Sequence, residues 1–478
     1  MRPFELTAVA LLDGYRSGAL SPVEALRDVL QRVARFEPHI HATYLLAPER
    51  ALTEARASEE RWRRGAPIGP LDGVPATVKD NIATKGEPIP LGTAASELAP
   101  AAADAPPAAR LREAGAILFA KTTMPDYGML SSGLSSFHAL ARNPWDLRCN
   151  PGGSSAGAAA AAAAGYGPLH LGTDIGGSVR LPAGWCGIFA LKPSAGRAPI
   201  DPPYIGRVAG PLTRSVADAA LTMASLAQPD ARDYTSLPPQ NLDWRIKPAQ
   251  LRGLRVGLLI DAGCGDAATA PVRAAVERAA RVFAAAGAIV EPLKPFLTQE
   301  MLDGLDRFWR MRALIDIRAT PPEPRERILP FIRAWAESAT GLSGEAVFHG
   351  FSQIMAMRKA AIQATLPYDF VLSPTAPITA YPAESASPSD DPLNPFPHIG
   401  FTVAFNMSEQ PAATINCGYG DEGLPIGLQI VGRRFDDVGV LGVAMAFEAM
   451  RAPEARAWPE PPPSSRATVT RLAQEEPS

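Results

Sequence analysis

Two glycine-rich turns carry the side chains best suited to covalent chemistry. Gly152-Gly153-Ser154-Ser155 and Gly176-Gly177-Ser178 lie within the stretch Asn150 to Pro193 and are separated by the alanine run Ala158–Ala164. A serine hydroxyl is a weak nucleophile and needs a base beside it. Glycines allow tight backbone turns and let a ligand approach the main chain. Upstream, Gly73-Val74-Pro75-Ala76-Thr77-Val78-Lys79-Asp80-Asn81 sets a lysine among apolar neighbours. A lysine acts as a base only when neutral, and an exposed one, with a pKa of about 10.4, is almost wholly protonated at pH 7. Burial disfavours the ammonium and lowers that value. Taken alone, Lys79 is better read as an ion-pair partner of Asp80; the two serine turns reverse that preference.

Two simpler readings of the serine turns compete with a relay. A flexible Gly/Ser linker does not fit, because Ala158–Ala164 and Ile188-Phe189-Ala190-Leu191 supply apolar flanks. A nucleophile elbow fits formally, since Gly153-Ser154-Ser155-Ala156-Gly157 matches G-x-S-x-G with Ser155 central. That motif should follow a strand, whereas Arg148-Cys149-Asn150-Pro151-Gly152 is a turn signal. A histidine partner for Ser155 would have to come from His170, His349 or His398, none of which sits in a distinctive pattern.

The three blocks together resemble the amidase signature family, in which G-V-P-x-x-V-K-D-N, P-G-G-S-S and G-T-D-x-G-G-S segments carry a Ser-Ser-Lys triad. The resemblance runs from about Leu6 to about Met450. It implies that Ser178 is the nucleophile, Ser154 the bridging residue and Lys79 the base, with a cis peptide bond before Ser154. It further implies an α/β fold: one large mixed β-sheet covered by helices on both sides. The implied activity is hydrolysis of a linear carboxamide to a carboxylic acid plus ammonia or an amine, through an acyl-enzyme and without metal or cofactor. The backbone N–H groups of Ile175, Gly176, Gly177 and Ser178 are expected to form the oxyanion hole, and losing one such donor typically costs about 2.7–4 kcal/mol. Asp174 and Arg180 flank this turn and are expected to brace it. Two departures stand out: Ala156 replaces a glycine, and Gly86-Glu87-Pro88-Ile89-Pro90-Leu91-Gly92-Thr93 replaces the usual G-x-P-T-T-x-G-S, which reshapes one wall near the site.

Two rival functions remain. One is a partner-dependent subunit like the amidase component of tRNA-dependent amidotransferases. Those proteins carry S-D-T-G-G-S where this chain has Thr173-Asp174-Ile175-Gly176-Gly177-Ser178. The other is a binding protein with a decayed site, which the presence of all three triad residues opposes.

The elements that must position these groups follow from periodicity and punctuation. Leu6–Glu37 reads as helices, with Ser21-Pro22-Val23-Glu24 as a capping box. A helix from about Pro48 to Arg64 precedes a strand, Leu71–Val78, that delivers Lys79 at its end. Ala109–Lys121 reads as helix, turn and strand. Thr122–Pro151 is a long loop; by the resemblance it closes over the substrate, with a backbone carbonyl near Gly128. Met124, Tyr127, Met129, Leu130, Ser131 and Ser132 join Gly128 as pocket candidates, and Asp126 reads as a solvated loop charge. Strands are expected at Leu254–Asp261, Ala288–Pro292, Tyr368–Ser373, Ala412–Cys417 and Gly423–Gly432, with helices at Pro271–Ala286 and Leu441–Met450. Met301–Leu366 reads as helical, and its Trp309, Trp335, Phe348 and Phe351 are either core or the lining of a substrate entrance. Gly263-Cys264-Gly265-Asp266-Ala267-Ala268 fits a dinucleotide-binding pattern only formally, because Asp261 and Asp266 would face the pyrophosphate.

Composition narrows the class. The chain has 478 residues, 46% of them hydrophobic, and a formal net charge of -3, without the basic stripe of a nucleic-acid surface. No stretch is long and apolar enough to span a bilayer, and the N-terminus lacks a signal-peptide pattern. Four scattered cysteines, Cys149, Cys186, Cys264 and Cys417, form no metal or disulfide framework and fit a reduced, cytoplasmic setting. The expected organisation is a single catalytic domain over residues 1–452, with its signature core at about 66–223, and a disordered Pro-rich tail over 453–478. The expected partner is a small-molecule amide, with no nucleic acid and no membrane; a homodimer is compatible with the reading.

Overall fold

The computed structural model of the chain describes residues 2–451 and 458–461. Eleven strands form one sheet: β1 (Thr43–Leu46), β2 (Pro75–Lys79), β3 (Ile117–Thr122), β4 (Leu169–Asp174), β5 (Phe189–Lys192), β6 (Val208–Thr213), β7 (Arg255–Leu258), β8 (Ile289–Pro292), β9 (Phe370–Pro374), β10 (Ala412–Tyr419) and β11 (Pro425–Gly432). Their spatial order is β1-β3-β2-β4-β6-β5-β10-β11-β9-β7-β8. The sheet is mixed: β2 runs parallel to β3 and β4, and β7 parallel to β8 and β9, while β4–β6, β5–β10 and β10–β11 are antiparallel. Every residue of β2, β3, β4 and β11 is buried. Burial on both faces explains why β3 opens with the continuous apolar run Ile117–Ala120 rather than an alternating pattern.

Helices cover both sides. On β3, Leu118 belongs to a core shared with the helices Val216–Leu226, Ala270–Ala285 and Asp437–Met450. Its neighbours Ile117 and Phe119 point the other way, onto the helices Pro22–Ile40 and Ala156–Ala164. The alanine helix is buried at every position. Methyl side chains let it lie close to the sheet, and high intrinsic propensity keeps it helical without a polar face.

Most expected elements occur, with shifted ends. Ser21 does close a capping box on Glu24. The expected strand Leu71–Val78 begins only at Pro75, because Gly73 turns at φ +85° and Asp72 is held by Arg61. Met301–Leu366 resolves into Gln299–Ala319, Pro330–Glu337 and Gly344–Thr365, with a short turn of helix between the first two. Strands β1, β4, β5 and β6 were not among the expected strands. The Gly263–Ala268 segment is a packed loop: Gly265 lies against the Pro397 carbonyl, where no phosphate would fit. The expected disorder of the C-terminal tail does not hold for residues 458–461. Trp458 packs on Trp145 and beneath Arg214, and Glu460 pairs with buried Arg32 at 2.7 Å. The remainder of that tail lies outside the described residues. Among the described residues no helix is long and apolar enough to cross a membrane.

Candidate active site

The C-terminal ends of β2 and β4 bring the two halves of the site together. β2 ends on Lys79, and its parallel neighbour β4 ends on Thr173 and Asp174. The serine turn Gly152–Ser155 feeds the alanine helix that leads into β4, and the second turn, Ile175–Ser178, leaves it. The carboxyl ends of parallel strands are the usual place for an α/β site, because the loops there converge on one crevice.

Lys79 is fully buried, and its Nζ lies 2.7 Å from Ser154 Oγ, 3.1 Å from Ser155 Oγ and 3.1 Å from Thr173 Oγ1. All three neighbours are hydroxyls, which both donate and accept and so suit a neutral amine as well as an ammonium. Burial drives the Lys79 pKa well below its ordinary value; nearby Arg207 adds to the effect, and Asp174 and Asp80 oppose it. The carboxylate of Asp80 is engaged elsewhere, by His138 at 2.8 Å and by the N–H groups of Leu91 and Gly92. The alternative Lys79–Asp80 ion pair is therefore not formed. The Gly153–Ser154 peptide bond is cis, as the resemblance implies.

Ser178 opens onto a cavity. Ser155 does not. It is fully buried, and its Oγ is held among Lys79 Nζ, Thr173 N and Thr173 O. The nucleophile-elbow reading of Ser155 fails on this point, since no substrate carbonyl reaches that hydroxyl. His170 and His398 give it no help: the first bonds Thr77 and Gly167, the second Ser131. The Ser155 N–H donates to the Ser178 carbonyl at 3.1 Å and ties the two turns together.

Asp174 organises the nucleophile turn. Its carboxylate accepts from Gly177 N at 2.8 Å, Val179 N at 3.1 Å and Arg180 Nε at 3.0 Å, with both charged side chains fully buried. Burial raises its pKa, but the charge and hydrogen bonds of Arg180 more than compensate and hold the carboxyl below the usual range. Arg180 is itself held by the Thr402 carbonyl, Gln429 and Asn406. This geometry corrects one expectation: the Gly177 N–H is committed to Asp174. Ile175, Gly176 and Ser178 line the cavity, and Gly177 does not.

The opposite wall comes from the segment after β3. Tyr127, Gly128, Met129, Leu130 and Ser131 all line the cavity. Gly128 stands at φ +68°, and a side chain there would come within 3.3 Å of the Ser154 hydroxyl. Met124 and Ser132 do not reach the cavity; Ser132 is fully buried and bonds the Ser385 carbonyl. Asp126 is not the solvated charge expected. It is fully buried and accepts from Ser136 N, Ser136 Oγ and Leu329 N, and burial raises its pKa. Cys149 is half-buried with its pKa pushed up to about 11, which disfavours the thiolate.

The family model described as Amidase matches residues 24–441. The chain belongs to the amidase signature family. Curated relatives include a glutamyl-tRNA(Gln) amidotransferase subunit of Chloroflexus aggregans, 33% identical over 93% of this chain and 96% of that protein. Among solved structures, a bacterial aryl acylamidase of the amidase signature family superposes with a TM-score of 0.86 at 29% identity, covering 93% of this chain and 96% of that one. The peptide amidase of Stenotrophomonas maltophilia superposes at 0.80 with 27% identity, covering 96% and 99%. Membership of this family supports a hydrolase acting on C–N bonds.

Against that family background, the helical layer supplies what the motifs do not. Trp309 and Arg312 reach the cavity from Gln299–Ala319, Trp335 from Pro330–Glu337, and Phe396 and Ile399 from the loop before the last strands. Trp309 and Trp335 both meet Phe396 edge-on, with centroids 5.6 and 5.5 Å apart. Phe348 and Phe351 lie elsewhere, in a shallow surface dent with Phe308 and Met311. Sequence reasoning did not single out Arg312, Phe396 or Ile399. The spacing of Arg312 three residues after Trp309 puts both on one helix face, but nothing local shows which face meets the site.

Proposed function

We propose that the protein is an amidohydrolase that cleaves a linear carboxamide through an acyl-enzyme on Ser178. The observation that carries this reading is the buried 2.7 Å contact between Lys79 Nζ and Ser154 Oγ, beside a cavity that Ser178 also lines. Neutral Lys79 takes the Ser154 proton while Ser154 takes that of Ser178, and Ser178 Oγ attacks the amide carbonyl carbon. The N–H groups of Ile175, Gly176 and Ser178 stabilise the negative oxygen of the tetrahedral intermediate. The relay then returns its proton to the leaving nitrogen as the C–N bond breaks. A water molecule, deprotonated by the same relay, attacks the ester carbon, releases the carboxylic acid and restores the Ser178 hydroxyl. Asp174 and Arg180 hold the turn, and Tyr127, Gly128, Met129 and Ser131 contact the substrate. A cytoplasmic setting belongs to this reading and is supported by four free cysteines.

A second reading, a component that works only inside a tRNA amidotransferase, is favoured by the names of the curated relatives. Ile175, where those proteins carry threonine, speaks against it. The test is fluorophosphonate labelling of the purified chain with peptide mapping, together with an amide hydrolysis screen. An adduct on Ser178 that disappears in Lys79→Ala, together with turnover by the chain alone, supports the amidohydrolase. An adduct without turnover unless partner proteins are added supports the second reading. An adduct on another serine, or none while a control serine hydrolase labels, overturns both.

A further inference from the structure

We propose that the cavity selects carboxamides bearing a second, anionic group, and that Arg312 receives that group. The inference rests on the amide-hydrolase reading of Ser178 and names the substrate class of the same cavity. Among the residues that line it, Arg312 is the only charged one; the others are apolar, aromatic or small. Its guanidinium carbon sits 3.7 Å from the ring centroid of Tyr204, which fixes the plane of the fork. Stacking of this kind leaves the N–H edge of the guanidinium available for a planar two-oxygen acceptor.

Among the described residues, two arginines nearby pair with carboxylates, whereas Arg312 does not. Arg310 on the same helix bonds Asp306, and Arg333 on the next bonds Glu326. No ion pair joins Arg312 or Arg207 to a carboxylate among the described residues. The acidic groups that act on them from a distance are exposed Asp316, one turn along the helix from Arg312, and exposed Asp201 beside Arg207. Arg207 and Arg312 also oppose each other, and after burial this repulsion helps bring the Arg207 pKa down to about 10. The Arg312 guanidinium at an otherwise uncharged wall, with the Arg207 charge near enough to oppose it, creates a positive potential that an anionic substrate completes. The same Arg207 charge disfavours the Lys79 ammonium, so one field both draws in the substrate and keeps the base neutral. Trp309, Trp335 and Phe396 form an aromatic wall on the same cavity, which suits a flat spacer between the amide and the anion.

The matched probes are 4-carbamoylbenzoate and 4-nitrobenzamide, nearly the same in shape and different in charge. Binding is measured by calorimetry to the Ser178→Ala protein, so that turnover plays no part. The anionic probe should bind at least about tenfold tighter, the scale of one charge-assisted hydrogen-bonded pair. The preference should narrow as salt rises, vanish in Ser178→Ala/Arg312→Gln, and survive in part in Ser178→Ala/Arg312→Lys. Equal binding of the two probes, no binding of the anionic one, or a preference that persists without Arg312 overturns the proposal. Hydrolysis by the native chain is followed alongside. Selective binding without any amide turnover or Ser178 adduct counts against the hydrolase reading and leaves the anion site standing. Turnover without selectivity counts against the anion site alone.

Discussion

The stretch Asn150–Pro193 and the helical layer Gln299–Thr365 meet at one cavity but are built on opposite terms. In the first, nearly every residue is buried and the polar groups are held by partners within the fold: Ser154 and Ser155 by Lys79, Asp174 by Gly177, Val179 and Arg180. In the second, the helices satisfy their own backbones, and much of their surface faces solvent, including Ile315 and Phe348. A buried polar network tolerates little change, because each unsatisfied member costs about 1–3 kcal/mol. The wall side chains of the helical layer make fewer such bonds; Trp335 donates one, to Asp306 at 2.9 Å. On the proposed reading, chemistry is anchored to the sheet and selection to the layer above it.

Four changes break or sharpen this contrast. Ser178→Ala should lower kcat on the order of 10⁴-fold or more, with a near-native melting temperature; residual turnover of a tenth or more would remove Ser178 from the chemistry. Gly177→Ala should follow, with kcat reduced by about 10²-fold. Gly177 stands at φ +132°, and a methyl group there would sit 2.6 Å from Thr402 Oγ1, so the turn must shift. Unchanged kinetics would show that the rigid half of the molecule is less rigid than its hydrogen bonds suggest.

The pH profile probes Lys79 directly. The base works as the neutral amine, so kcat/KM should rise with pH as Lys79 loses its proton, then level off. Because burial depresses that pKa well below its ordinary value, the rise should be complete long before the alkaline range of a free lysine. A midpoint near the free-lysine value of about 10.4 would mean that the lysine behaves as exposed. The smallest effect belongs to the helical layer. Trp335→Ala should change KM by about tenfold, the scale of one apolar contact in a binding pocket, in a direction set by substrate size, and kcat much less. Equal losses in both constants would mean that Trp335 holds the reacting groups in place as well.

What could be read before folding divides along the same line. Lys79, Ser154 and Ser178 were legible because each sits in a patterned local block whose residue types are dictated by its own turn. Asp174 and Arg180 were legible as flanking groups, but not the fact that Asp174 takes the Gly177 N–H from the oxyanion turn. Asp126 was misjudged because its partners, Ser136 and Leu329, are ten and more than two hundred residues away. Trp309 could not be told from core, since both roles ask for a large apolar side chain at helical spacing. Trp458 was hidden by its composition, as a Pro-rich context masks one aromatic anchor that docks on Trp145.

By itself the sequence determined the serine turns, the lysine that precedes them, the alanine helix between them and most of the sheet's strands. Those features depend on contacts within a few residues: glycine backbone freedom, helix propensity, apolar runs long enough for a buried strand. Only the tertiary structure decided that Ser178, and not Ser155, faces the cavity, and that Arg312 joins Trp309, Trp335 and Phe396 at its wall. Exposure and convergence are properties of how distant segments pack, and no local pattern encodes them.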